Sequence, residues 1–345
     1  KGTQNDGDEV DAVSELQALV SLVRLKAFTD DSGSLSGSPA KQASTPTLAD
    51  WTALGVKAYS SLNDASPTRD LSASNTNLSA INSALDRLAG SELADVGNTT
   101  TSTLQGVVSS YARVLAEADG NRAIDVNVYS GGAQQDKEDP TDTDYGNILG
   151  GASNLSALTT GGLKWMALLN DCLNGLSATS VDTATEIEDL IKAAVNVMKQ
   201  ASGTGWSYTS EADWVNALTN LGITGLTGMS SAKLNDVKTA IAATNDNGTG
   251  VDTWSELQGI VSLIRINDYA ADSNKNSPPT FTDYQAFFTY GETGKSDIVN
   301  NTSYLNAFND AVNSQNAITA TQVKALVNGY SAILAEANGT TADQQ

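Results

Sequence analysis

The chain contains no histidine and one cysteine, Cys172, in 345 residues. Without histidine there is no imidazole acid–base catalysis, no Ser–His or Cys–His nucleophile pair, and none of the usual zinc or copper sites. A lone cysteine makes no internal disulfide, so the fold is not a stapled scaffold. Cys172 sits in the apolar run Leu168-Leu169-Asn170-Asp171-Cys172-Leu173, which predicts a buried small hydrophobe rather than a reactive thiol. No apolar run reaches the roughly 18 residues that a membrane span needs, so we expect no direct membrane insertion. The chain opens Lys1-Gly2-Thr3, with neither an initiator methionine nor a hydrophobic signal core. That opening leads us to expect a processed product or a piece of something larger. Gly-rich phosphate loops and nucleophile elbows are also missing.

Positive charge is scarce. Nineteen basic residues face 40 acidic ones, for a net charge of −21. Nucleic-acid binding depends on cationic side chains that displace counterions from phosphates, so this balance excludes DNA and RNA as partners. The same surface attracts divalent cations and resists aggregation. Carboxylate pairs occur throughout so acidic a chain, which makes them uninformative as glycosidase signals. Apolar residues nevertheless make up 40% of the chain, enough for packed cores.

Internal repetition organises the rest. A Glu/Thr/Gln residue, an aliphatic residue, Gln/Glu/Lys, any residue and two aliphatic residues recur five times, starting at Glu15, Thr103, Glu186, Glu256 and Gln322. Ahead of four of these stands Thr or Ser, then Asp three residues on, then an aromatic: Thr47…Asp50-Trp51, Thr141…Asp144-Tyr145, Ser210…Asp213-Trp214 and Thr280…Asp283-Tyr284. A third pattern lies between the two, as in Leu78…Ile81-Asn82…Leu85 and Leu305…Phe308…Val312. Copies three apart resemble each other more than neighbours do. Ser14-Glu15-Leu16-Gln17 returns as Ser255-Glu256-Leu257-Gln258, an offset of 241.

Each pattern predicts helix. Leu104, Val107, Val108, Tyr111 and Leu115 fall on one face of a helix of about four turns. Asp11, Asp182 and Asp252 stand where N-caps belong, and Gly120, Gly203 and Gly339 where left-handed C-caps belong. The Thr/Ser-x-x-Asp pattern reads as a capping box opening a short helix that ends near Gly55, Gly150, Gly222 or Gly291, with proline just before it in three copies. The expected fold is all-α: tandem three-helix repeat units packed end to end, joined by Ser/Gly/Asp-rich loops. Residues 8–31 form the last helix of one repeat, followed by units at 45–120, 140–203, 209–272 and 280–339. Residues 123–129 alternate apolar and polar and predict one short strand without an evident partner.

The Glu-Leu-Gln helices, the Leu-Ala-Glu-Ala-Asp/Asn-Gly ends and the stretch 242–252 resemble the helical tandem repeats of very large exported bacterial proteins, adhesin-like, sheath-like and surface-layer-like chains among them. The resemblance implies an extracellular, assembled, non-enzymatic role at a cell surface. It carries over no catalytic residue and no ligand.

Calcium is the one cofactor the residues suggest. Asn245, Asn247, Thr249, Gly250 and Glu256 occupy positions 1, 3, 5, 6 and 12 of an EF-hand-like loop. Such a loop wants Asp first and an apolar residue eighth, where Asn245 and Asp252 stand. The competing reading is a Gly-terminated helix followed by a capped one. Acidic stretches at 6–9 and 136–139 read as solvated loops, and Trp51, Tyr145, Trp214 and Tyr284 as core anchors rather than a sugar-stacking row. Two functions follow as expectations. One is a structural protein of a bacterial exterior that works by self-association. The other is an extracellular binding module for a host protein or glycan.

Overall fold

The computed structural model describes residues 12–30, 44–56, 75–88, 98–118, 127–128, 134–135, 139–150, 163–203, 210–244, 250–271, 278–288, 302–315 and 317–337, with residues 93, 120 and 208. Among them lie thirteen α-helices: α1 (Val13–Asp30), α2 (Leu48–Ala53), α3 (Asn75–Leu85), α4 (Asn98–Glu117), α5 (Asp142–Leu149), α6 (Leu163–Asn174), α7 (Ala184–Ala201), α8 (Glu211–Asn220), α9 (Ser231–Ala242), α10 (Trp254–Ala271), α11 (Phe281–Gln285), α12 (Thr302–Asn313) and α13 (Ala320–Ala337). The described residues are all-α apart from one two-residue strand pair. Within the expected strand at 123–129, Asn127–Val128 pairs antiparallel with Gln134–Gln135, and the rest of that stretch lies outside the described residues.

Two compact units divide the chain: residues 1–166 with 173–191, and residues 167–172 with 192–345. In the first, α1 packs on α2 and α3, and α4 packs on α3 and α5. Ser83 Oγ, on α3, accepts from the Ala184 amide at 3.0 Å. Arg87, one turn beyond, pairs with Glu188 at 2.9 Å. In the second, α10 packs on α9, α11 and α12, and α13 closes against α11 and α12. Its core joins Ile266, Tyr284, Phe288, Phe308, Val312, Ile318, Val323 and Val327. Tyr284 and Phe308 stack tilted at 5.5 Å, and Tyr330 meets Phe308 edge-on at 5.7 Å. Cys172 is buried, as its apolar neighbours predicted.

The long helices begin one residue later than the acidic caps suggested. Thr183 Oγ1 accepts from the Glu186 amide at 3.2 Å, while the Thr183 amide donates to Glu186 Oε2 at 2.9 Å. Thr253 with Glu256 and Thr319 with Gln322 form the same reciprocal box. Thr183 and Thr253 therefore cap where Asp182 and Asp252 were expected; Asp11 lies outside the described residues, as do Gly291 and Gly339. The recurrent Glu or Gln that opens the long-helix pattern is the capping partner of these threonines. A left-handed stop works as expected at Gly150, with φ 59°. A Cβ there would also lie 2.4 Å from the Arg87 carbonyl oxygen, so glycine is required by space as well as by φ.

The aliphatic face of the long-helix pattern is buried in four of its five copies. Leu104, Val107, Val108, Ile187, Leu190, Leu257, Val261, Val323 and Val327 are all inside. In α1 the expectation fails, because Leu16 is 54% exposed and Val20 is 47% exposed. Burial depends on a neighbour, and α9 and the loop before it cover the equivalent face of α10. Leu257→Asp puts an unpaired charge in a packed face and should cost roughly 3–5 kcal/mol, whereas Leu16→Asp at the equivalent position should stay within about 0.5 kcal/mol. Chemical unfolding of the two variants beside the parent protein checks this; equal losses would contradict the difference in packing.

Candidate functional site: a buried carboxylate lock at three junctions

Short helices of five to eight residues have little intrinsic stability, so something else must hold α2, α5 and α11 in place. Each is held by the aspartate of its capping box. Asp50 Oδ2 accepts from the Thr47 amide at 2.8 Å and from Thr47 Oγ1 at 2.7 Å. The other side of the carboxylate faces the preceding long helix. Ser21 Oγ donates to Oδ1 at 3.2 Å, and Arg24 Nη1 reaches both oxygens at 2.9 Å.

The set recurs twice. Asp144 takes Thr141 N and Oγ1 at 2.8 and 2.7 Å, Ser110 Oγ at 2.9 Å and Arg113 Nη1 at 2.6 Å. Asp283 takes Thr280 N and Oγ1 at 2.7 and 2.9 Å, Ser262 Oγ at 3.2 Å and Arg265 Nη1 at 3.2 Å. All three carboxylates are buried. Four donors from two helices fill each one, which makes it a joint rather than a proton-transfer group. Burial alone pushes the Asp50 and Asp144 carboxyls up. The threonine backbone and side chain, then the arginine and the serine, outweigh it and hold both below the ordinary aspartate value.

The aromatic that follows each aspartate is buried, as expected of a core anchor. Trp51 and Tyr284 also bind an asparagine of the middle helix. Trp51 Nε1 donates to Asn82 Oδ1 at 3.0 Å, and Asn82 Nδ2 donates to the Pro46 carbonyl at 2.9 Å. Tyr284 Oη donates to Asn309 Oδ1 at 2.7 Å, and Asn309 Nδ2 to the Pro279 carbonyl at 3.2 Å. Each asparagine thus ties the middle helix to both ends of the first turn of the short one.

The fourth copy departs. Ser210 Oγ accepts from the Asp213 amide at 3.1 Å, but Asp213 is exposed, and α7 contains neither Ser nor Arg. Here a glycine loop provides the anchoring instead. Gln258 Oε1 accepts from the Thr224 amide at 2.8 Å, and its Nε2 donates to the Thr224 carbonyl at 3.2 Å. The same Nε2 reaches Ser262 Oγ at 3.1 Å, so the loop is wired directly into the Asp283 lock.

Of the calcium candidates, Asn245, Asn247 and Thr249 lie outside the described residues. Glu256 is described, and its Oε2 accepts from the Asp252 amide at 3.1 Å and from Thr253 N and Oγ1 at 3.2 and 3.1 Å. Burial, and then the neighbouring Asp252 carboxyl, push Glu256 up. Among the described residues no group of three or more acidic or cysteine side chains is placed to hold a metal ion. A small pocket of about 200 Å³ beside Tyr208, Glu211, Trp214 and Lys238 falls below the roughly 300 Å³ at which ligand sites usually begin. No helix among the described residues is long and apolar enough to cross a membrane.

No protein-family model, curated protein or solved structure matches this chain.

Removing either half of a lock should release its junction. Arg113→Met leaves Asp144 buried without its cation and should cost about 3 kcal/mol, near the lower end for buried pairs because Arg113 is 21% exposed. Because the folded carboxyls of Asp50 and Asp144 sit below their unfolded value of about 3.9, the stability they add is full above about pH 4. It is lost as the pH falls through the lower folded value. The melting difference between parent and Asp144→Asn should therefore be large at pH 7 and shrink toward pH 2. A difference independent of pH would show that the carboxylate charge carries none of the stability.

Proposed function

We propose that this chain is a structural, non-enzymatic repeat protein of a bacterial exterior, of the filament, sheath, surface-layer or adhesin-stalk kind, acting by self-association. The observation that carries the reading is the lock at 50, 144 and 283, one device reused at three junctions. A chain that fixes each short helix to the preceding long helix in this way is suited to transmit a defined geometry along tandem three-helix units. That is what a spacer or a lattice subunit needs, and it leaves the catalytic requirement of an accessible, mobile acid or base unmet at these carboxylates. Unit faces without a neighbour need covering, and α1 presents such a face: Val13, Leu16, Val20 and Val23 are exposed on one helix.

The charge of −21 sets the conditions for assembly. Like-charged faces repel, and either screening or Ca²⁺ bridging relieves the repulsion, with a screening length near 3 Å at about 1 M salt. Sedimentation velocity across a concentration series in chelator, in Ca²⁺ and in NaCl of matched ionic strength separates these effects. The expected result is a concentration-dependent shift to larger species, stronger in Ca²⁺ than in matched NaCl. Equal behaviour in the two salts would remove calcium from the account. A monomer under all three conditions would overturn self-association itself.

A further inference from the structure

The same residues occur in two different surroundings. Positions in α1 and α10 correspond with an offset of 241, from Ser14/Ser255 to Arg24/Arg265. On α10, Trp254, Leu257, Gln258 and Val261 form the seat for the loop at 221–226. Trp254 Nε1 donates to the Gly222 carbonyl at 3.1 Å, and Gln258 makes its two bonds to the Thr224 backbone at 2.8 and 3.2 Å. Gly225 has φ +85°, and a Cβ there would lie 2.4 Å from Arg265 Nη1, so the loop passes directly over the arginine of the lock. Beneath it Leu257 and Val261 are fully buried, and Arg265 is only 17% exposed.

On α1 the seat is present, and among the described residues no segment covers it. The equivalent residues are Val13, Leu16, Gln17, Val20 and Arg24. Val13 is 85% exposed, Leu16 54% and Val20 47%. Arg24 makes the same lock to Asp50, yet it is 41% exposed where Arg265 is 17%. Gln17 Nε2 donates to Ser21 Oγ at 3.3 Å, as Gln258 does to Ser262 at 3.1 Å, and Gln17 is otherwise exposed. A solvated helix face has no need of three aliphatic side chains around an amide that is half-engaged in this way. One feature differs: Val13 stands where Trp254 donates to the loop carbonyl.

We propose that this face of α1 is a docking site for a helix–loop–helix segment of the kind formed by residues 211–244, its glycine loop seated across Leu16, Gln17 and Val20 as 221–226 is seated on α10. The partner's chemistry is defined by what Gln258 and Arg265 meet: a backbone amide and carbonyl of one loop residue for Gln17, a following glycine over Arg24, and apolar side chains like Leu221, Ile223 and Leu226. The inference rests on reading the chain as an array of like units, and it names what one exposed face accepts.

Thiol labelling of Val20→Cys in the full chain reports the cover directly, since Cys172 is buried. The test compares the chain alone with the same chain carrying residues 208–245 joined in register ahead of Asn5. Maleimide labelling should slow at least about tenfold in the extended chain, as expected when access requires local opening, and Leu16→Asp in that chain should restore fast labelling. Unchanged labelling overturns the proposal. So does an extension that adds no helix by circular dichroism, because a helix pair without a core of its own folds by docking. Protection of the unextended chain that grows with its concentration would assign the face to a second copy, overturning this inference while self-association stands. Protection only in the extended chain, with the unextended chain monomeric throughout, would uphold the docking site and leave the self-association reading without support.

Discussion

A carboxylate removed from water must be given back the hydrogen bonds and positive charge it loses, or it destabilises whatever buries it. That requirement shapes this protein. Asp50, Asp144 and Asp283 are buried, and in each case the missing partners come half from the aspartate's own helix and half from the preceding long helix. The threonine half is local and forms with the short helix. The Ser-x-x-Arg half exists only when the long helix lies against it at the right rotation. One ionised group thereby couples the N-terminal turn of a short helix to the orientation of a long one. The buried aromatic after the aspartate, with the asparagine that holds Trp51 and Tyr284, extends the coupling to the middle helix.

Much of this was legible in the sequence. The 3.6-residue face of Leu104 to Leu115 and the Thr-x-x-Asp boxes are local features, and local features survive without knowledge of neighbours. The Ser-x-x-Arg partners are hidden in the sequence, because the repeats slip against one another. Aligning Thr103-Leu104 with Glu15-Leu16 leaves Ser110 and Arg113 one residue out of step with Ser21 and Arg24. A pattern spread over two helices and displaced by one residue looks like noise until the helices are packed. Aligning the copies on Ser-x-x-Arg rather than on the aliphatic face would have found it. The exposure of Leu16 was also beyond the sequence, since it differs from buried Leu257 only in what lies above it.

The exceptions carry as much information as the rule. Asp213 keeps the capping serine but has lost both long-helix partners, and it lies in water. Its neighbouring loop is anchored instead by Gln258, whose amide grips the Thr224 backbone and the serine of the next lock. Two joints therefore alternate along this part of the chain, one ionic and one built from neutral amides. Only the ionic joint carries charge, and there each buried aspartate is matched by a single arginine. Helix α13 carries Gly329 and Ala332 where α4 has Ser110 and Arg113, so it offers no such Ser–Arg half-lock.

Native-state hydrogen exchange tests the central claim most directly, because it reports the free energy of opening each first turn separately. The amides of Thr47, Thr141 and Thr280 donate to the three locked aspartates, and they should exchange only with the long helices that hold them. The amide of Asp213, at a junction without an ionic lock, should exchange through a separate, lower-energy opening. If all four exchange at the same low opening energy, well below that of the long helices, the buried carboxylates are not what joins these helices and the account is wrong.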